Sequence, residues 1–250
     1  KNVLPALRDL YDEIWVYGLP QICEPLAGLA LPQAVRGKMV YTGYLRREIP
    51  ATPPSPDLVA FAQQPFILVT PGGGGDGDEL IDWVLRAYES GADLPWRALL
   101  VFGPFMAPER QAEFPAPAAR LPPPTKTFDA HIEALVARAD GVVAMGGYNT
   151  FCEILSFDRR AILVPRTRPR LEQYIRAASA ERLGLVRMLA DDGRREARRM
   201  AAALRRLPQQ KRPSEAVLPG LLDGLANVHR LAAPWLGTER RPVRMALASG

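Results

Sequence analysis

The residue types best suited to chemistry in this chain fall between positions 141 and 177: Gly146-Gly147, then Asn149, Thr150 and Glu153, and further on Glu172, Gln173 and Arg176. An apolar, β-branched run over 142–145 ends at the glycine pair and passes into a helical pattern that begins about Phe151. A second strand at 161–164 stops at Pro165. A polar loop follows, and Glu172-Gln173 open another helix. Two successive strand ends are thus set beside helix N-termini, whose free N–H groups and dipoles favour a bound anion, here a phosphorylated ligand. The same residues have plainer readings. Thr150-x-x-Glu153 fits a capping box, and the glycine pair fits an ordinary tight turn. The order of the whole segment, more than any one piece of it, points to a site.

That order resembles the donor-binding half of glycosyltransferase family 28, metal-independent GT-B enzymes typified by a bacterial cell-wall N-acetylglucosaminyltransferase. The family pattern runs Gly-x-x-Thr-x-x-Glu, then a strand ending in Val-Pro, then a loop and Gln-x-x-Asn-Ala; Gly147, Thr150, Glu153, Val164-Pro165, Gln173 and Ala177 match it. Arg176 stands where the family has asparagine, and an arginine there could reach a phosphate or a carboxylate on the sugar. The resemblance implies that Glu153 accepts hydrogen bonds from ribose hydroxyls, that Thr150 and nearby amides hold a diphosphate, and that Gln173 contacts the hexose. It implies a nucleoside-diphosphate sugar, with UDP the expected nucleotide, as donor substrate. No cofactor and no metal are expected, since amides and helix ends would stabilise the leaving charge. Asp191-Asp192 falls in an expected surface turn and is not read as a metal motif.

A second glycine loop, Pro71-Gly72-Gly73-Gly74-Gly75-Asp76-Gly77, follows the apolar run at 65–70. It is neither a dinucleotide fingerprint nor a P-loop. Read alone it is a flexible turn, with Asp76-x-x-Glu79 offering the next helix a capping box. Beside the main motif, the resemblance makes Gly73, Gly74 and Gly75 donor-binding candidates. His131, near the start of a helix expected at 129–139, is read as solvent-facing, with contact to the base as the alternative.

Composition narrows the partners. The chain has 250 residues, 48% of them hydrophobic, and a formal net charge of +5. Only Lys1, Lys38, Lys126 and Lys211 are lysine among 32 basic residues. Arginine bias of this kind is weak support for nucleic acid, and no zinc spacing or interleaved aromatic and basic pattern adds to it. Cys23 and Cys152 are far apart in the sequence, which argues against a disulfide framework and for a reducing, cytoplasmic setting. Cys152 reads as a small buried apolar residue. No run approaches the length of a membrane span. The arginine-rich amphipathic stretch 194–207 reads as a solvated face, with peripheral contact at the inner membrane as the lesser alternative.

These residues need a scaffold, and alternating apolar runs and helical patterns supply one: an α/β, doubly wound parallel sheet, the Rossmann-like C-terminal half of a GT-B fold. Strands are expected at 13–17, 38–41, 65–70, 98–102, near 127, at 142–145, 161–164 and 185–189, with a final helix at 217–231. Residues 1–45 are expected to be a remnant closing the N-terminal, acceptor domain, the rest of which would be missing from this chain or encoded elsewhere. The proline-rich stretch 46–60 would be the linker, 61–210 the sugar-nucleotide-binding domain, and 211–250 a C-terminal helix and tail. The function expected is hexose transfer to an acceptor that is lipid-linked or a natural product, its general base lying in the N-terminal domain. Two alternatives share the fold: a sugar-nucleotide hydrolase or 2-epimerase, and a donor-binding subunit that needs a separate partner.

Overall fold

The structure is a computed structural model that describes residues 3–26, 30–51, 54–73, 77–103, 106, 109 and 132–236. Nine helices of the described residues are labelled here: α1 (Leu4–Asp9), α2 (Gln33–Arg36), α3 (Pro56–Phe61), α4 (Asp78–Glu89), α5 (Ile132–Arg138), α6 (Tyr148–Ser156), α7 (Glu172–Arg182), α8 (Ala197–Arg206) and α9 (Gly224–Leu236). The strands are β1 (Ile14–Val16), β2 (Met39–Tyr41), β3 (Phe66–Thr70), β4 (Arg97–Leu100), β5 (Gly141–Ala144), β6 (Ala161–Leu163) and β7 (Arg187–Met188).

Strands β3 to β7 form a five-stranded sheet in the order β4-β3-β5-β6-β7, parallel throughout. Parallel strands are covered on both faces, so they read as continuous apolar runs, and β3 and β5 are buried along their whole length. Alternate side chains feed two cores. Phe66, Leu68, Val142 and Ala144 pack with α5, α6 and α7, whereas Ile67, Val69, Leu100 and Val143 pack with α4 and α8. The doubly wound sheet expected from the sequence is therefore present. The chain enters it at β3, steps outward to β4, then returns to β5 on the other side of β3, so the strand order reverses between β3 and β5. In open α/β sheets that reversal leaves a crevice at the carboxyl ends of the two strands.

The amino-terminal segment forms a separate two-stranded parallel sheet, β1 beside β2. It reaches the large sheet through Tyr44, which is 1% exposed and stacks on Tyr148 and edge-on against Phe151, with ring centroids 5.8 and 5.1 Å away. The backbone of Tyr44 is held on the other side by Leu221 and Gly224, at 2.8 and 3.1 Å.

Several boundaries differ from the sequence reading. The proline-rich linker contains α3, because Pro56 at the first helical turn has its ring geometry preset and no N–H to satisfy. The C-terminal helix begins at Gly224 rather than 217, since residues 218–223 turn back to pair with Tyr44. Helix α4 is capped by the backbone of Gly77, with no side-chain cap, while Glu79 is drawn instead to Arg195 at 2.5 Å. Asp76, Gly74, Gly75, His131 and the strand expected near 127 lie outside the described residues. Among the described residues no helix is long and apolar enough to cross a membrane.

Candidate functional site

At the β3–β5 crevice the two glycine turns face each other. Leaving β5, the chain turns at Gly146, whose φ of +78° and whose closeness to Leu163, 3.0 Å from where a Cβ would sit, leave room for glycine alone. Gly147 is the N-cap of α6 and offers no side chain to cap it. The helix therefore starts at Tyr148, one turn earlier than the sequence pattern suggests. This displaces the capping-box reading: Thr150 is the third helical residue, and Glu153 lies a turn deeper in the helix. Neither side chain is spent on the helix end.

The first hydrogen bond of α6 runs from the Phe151 N–H to the Gly147 carbonyl at 2.9 Å. Among the described residues the N–H groups of Tyr148, Asn149 and Thr150 find no acceptor, and they open at the crevice with the positive end of the helix dipole. Across from them, after β3, Gly72 also adopts a positive φ, +87°. A Cβ on Gly72 would lie 3.6 Å from Thr150 Oγ1, and the Gly72 N–H donates to Thr70 Oγ1 at 3.2 Å. Two hydroxyls and a run of free amides thus converge on one place. Gly73 is exposed beside them.

Glu153 is 6% exposed, and among the described residues its carboxylate has neither hydrogen-bond nor ion-pair partner. Burial pushes it up to about 7; the Glu133 carboxylate adds to the rise and Arg47 opposes it. A buried acid with no protein donor is costly unless something else supplies one.

Gln173, at the start of α7, accepts from the Arg166 N–H at 3.2 Å, and its Nε2 lies 4.0 Å from where a Gly147 Cβ would be. Its amide group is therefore directed toward the turn. Glu172 is half exposed and pairs with Arg176. Arg176 does not reach outward as the sequence suggested. It is 4% exposed, donates from Nη1 to the Gly146 carbonyl at 3.0 Å, and sits over the Tyr148 and Phe151 rings at 5.8 and 6.0 Å. Asn149 is exposed and accepts from Arg47 Nη2 at 2.6 Å.

Arg47 was not among the residues the sequence singled out. Its N–H donates to Ser156 Oγ at 2.8 Å, so the segment after β2 is pinned along α6 beside Glu153. Proline content marked this stretch as a linker, and nothing in its composition fixes which helix it follows. A cavity of about 480 Å³ reaches Met145, Val164, Pro165 and Arg166 on one side of the turn. Another of about 210 Å³ touches Tyr44, Tyr148, Glu172 and Arg176 on the other. Among the described residues no cluster of His, Cys, Asp and Glu is arranged to hold a metal.

The fold is a Rossmann-like α/β domain, of the kind that forms the C-terminal half of a GT-B protein. Residues 108–216 match the family model described as glycosyltransferase family 28 C-terminal domain. Solved structures agree in fold. Phytolacca americana UGT2 complexed with UDP-2fluoro-glucose and pterostilbene is 16% identical, with 91% of this chain and 54% of that chain covered and a TM-score of 0.58. The spinosyn rhamnosyltransferase complexed with thymidine diphosphate is 13% identical, with 85% and 55% covered and a TM-score of 0.56. The calicheamicin glycosyltransferase is 21% identical, with 84% and 51% covered and a TM-score of 0.54. The chain spans about half the length of these structures. A comparison with curated proteins finds no match. The match over residues 108–216 and the shared fold make this chain similar to the C-terminal half of GT-B proteins of the family 28 type.

Proposed function

We propose that the chain binds a nucleoside-diphosphate sugar at the β3–β5 crevice and serves metal-independent transfer of its hexose to an acceptor. One observation carries the reading: three unpaired amides at the start of α6 stand one turn from a buried carboxylate with no partner among the described residues. An anion matches the amides, and a vicinal diol, which donates two hydrogen bonds, matches the carboxylate. The diphosphate rests against residues 147–150 and the Thr150 hydroxyl, the ribose on Glu153, and the hexose toward Gln173. The nucleotides bound to two structures of the same fold, thymidine diphosphate and UDP-2fluoro-glucose, support a donor of this class. UDP is the first assignment and dTDP its competitor.

In the transfer, the bond from the anomeric carbon to the diphosphate breaks as the acceptor oxygen attacks. Negative charge then grows on the departing diphosphate, where preorganised amides and the helix dipole lower its energy. The proton of the acceptor leaves to a base other than Glu153, which is committed to the ribose. The acceptor is a lipid-linked or natural-product hydroxyl.

Calorimetry with UDP, GDP and dTDP tests the reading. One of the three is expected to bind, and Glu153→Ala is expected to lose about 1 to 3 kcal/mol of that affinity, as for a hydrogen bond to a charged group. Unchanged affinity in a folded variant would return Glu153 to a structural role.

A further inference from the structure

Arg176 occupies an unusual position for a charged side chain. It is 4% exposed and its Nε is buried without a hydrogen-bond partner among the described residues. Its compensating charge, Glu172, is more than half in solvent, where screening weakens it. The Nη1 bond is made to the carbonyl of Gly146, the one residue in the β5–α6 turn with a positive φ. That bond fixes the plane of the peptide that presents the next N–H, that of Gly147, to the crevice.

We propose that Arg176 is a positioning residue for the donor diphosphate: from behind the turn it locks the Gly146 peptide so that the amides of 147–150 converge, and its incompletely neutralised charge favours an anion there. The inference rests on the function proposed above. It assigns Arg176 no contact with the ligand, since the guanidinium is 4% exposed and lies behind the turn, against the Gly146 carbonyl, Glu172 and the rings of Tyr148 and Phe151. The prediction is therefore selective. Arg176 acts on whatever lies against the amides and not on the nucleoside, which lies on Glu153.

The experiment compares binding of UDP and of uridine to the full chain and to Arg176→Gln and Arg176→Lys. In Arg176→Gln, affinity for UDP falls roughly tenfold to a hundredfold, as when a charged hydrogen bond is lost, while affinity for uridine is unchanged. Arg176→Lys, which keeps the charge and one donor, recovers part of the UDP affinity. UDP affinity that is unchanged in folded Arg176→Gln, or UDP and uridine affinities that fall together, would overturn the inference. The wild-type chain provides a readout that survives any folding failure of the variants. The Arg176 Nε–H resonance shifts on addition of UDP and not of uridine; an equal response to both, or none to UDP, overturns the inference too. Should the wild type bind none of UDP, GDP and dTDP, the functional reading falls first and this inference with it.

Discussion

A carboxyl group that is 6% exposed and faces no protein donor among the described residues carries a desolvation cost. For Glu153 that cost has a pH signature. Its folded value, about 7, lies above the ordinary 4.5. Between the two, the folded protein holds a proton the unfolded chain has released, so stability is greatest below pH 4.5 and is lost as pH rises through 7. The loss amounts to about 3 kcal/mol. Glu153→Gln should therefore be more stable than wild type at pH 8 and nearly equal to it at pH 4, a difference that urea melts at the two pH values would resolve. Binding has the opposite sign. Because a ribose diol prefers the ionised acid, nucleotide affinity should rise from pH 6 to pH 8 and binding at pH 6 should release protons, detectable by calorimetry in buffers of different ionisation enthalpy. Glu153→Gln should flatten that profile. A wild-type affinity that does not vary with pH would detach Glu153 from the ligand.

At the scale of elements, legibility depended on which force sets each feature. The strands of the large sheet could be read because parallel strands covered on both faces need uninterrupted apolar runs, and β3, β5 and β6 fall within two residues of the expected positions. Helix α4 could be read from its apolar stripe, Leu80, Ile81, Val84 and Leu85 all being buried. The start of α6 could not. Tyr148, Asn149 and Thr150 are indifferent helix formers, and the helix begins there because the positive-φ turn at Gly146 directs the chain into it. The direction of Arg176 was equally hidden, since it depends on the Gly146 carbonyl thirty residues away. Spacing grouped Gly146, Gly147, Thr150, Glu153 and Gln173; packing shows how they are placed around the crevice.

The same scale yields a stability prediction. Trp83 is fully buried between α4 and α8, donates to the Glu196 carbonyl at 2.9 Å and lies under Arg199 at 5.7 Å. Trp83→Ala should cost about 3 to 5 kcal/mol, readable as a lower urea midpoint. It should leave nucleotide affinity unaltered in the folded fraction, because α6 packs on the opposite face of the sheet. A large change in affinity with little change in midpoint would mean that the α4 layer, and not α6, holds the ligand.

For the whole molecule, the question is whether the small β1–β2 sheet and α9 share the fate of the β3–β5 crevice. Tyr44 joins all three: its ring packs on α6, its N–H donates to Leu221, and its carbonyl accepts from Gly224 at the start of α9. Asn227 adds a bond to the Thr42 carbonyl at 2.9 Å. These contacts leave no slack, since a Cβ on Gly224 would come within 2.6 Å of the Tyr44 carbonyl oxygen. Gly224→Ala should therefore lower Tm by forcing α9 away from Tyr44, while leaving the α6 amides in place. A nucleotide at a hundred times its Kd adds about 2.7 kcal/mol to folding, or about 5 to 10 °C in Tm for a chain of this size. If Tyr44 couples the parts, wild type should melt in one transition that UDP moves as a whole. Gly224→Ala should start lower and move by a similar amount. Two transitions in wild type, only one of them moved by UDP, would show that the β1–β2 sheet and α9 melt independently of the crevice.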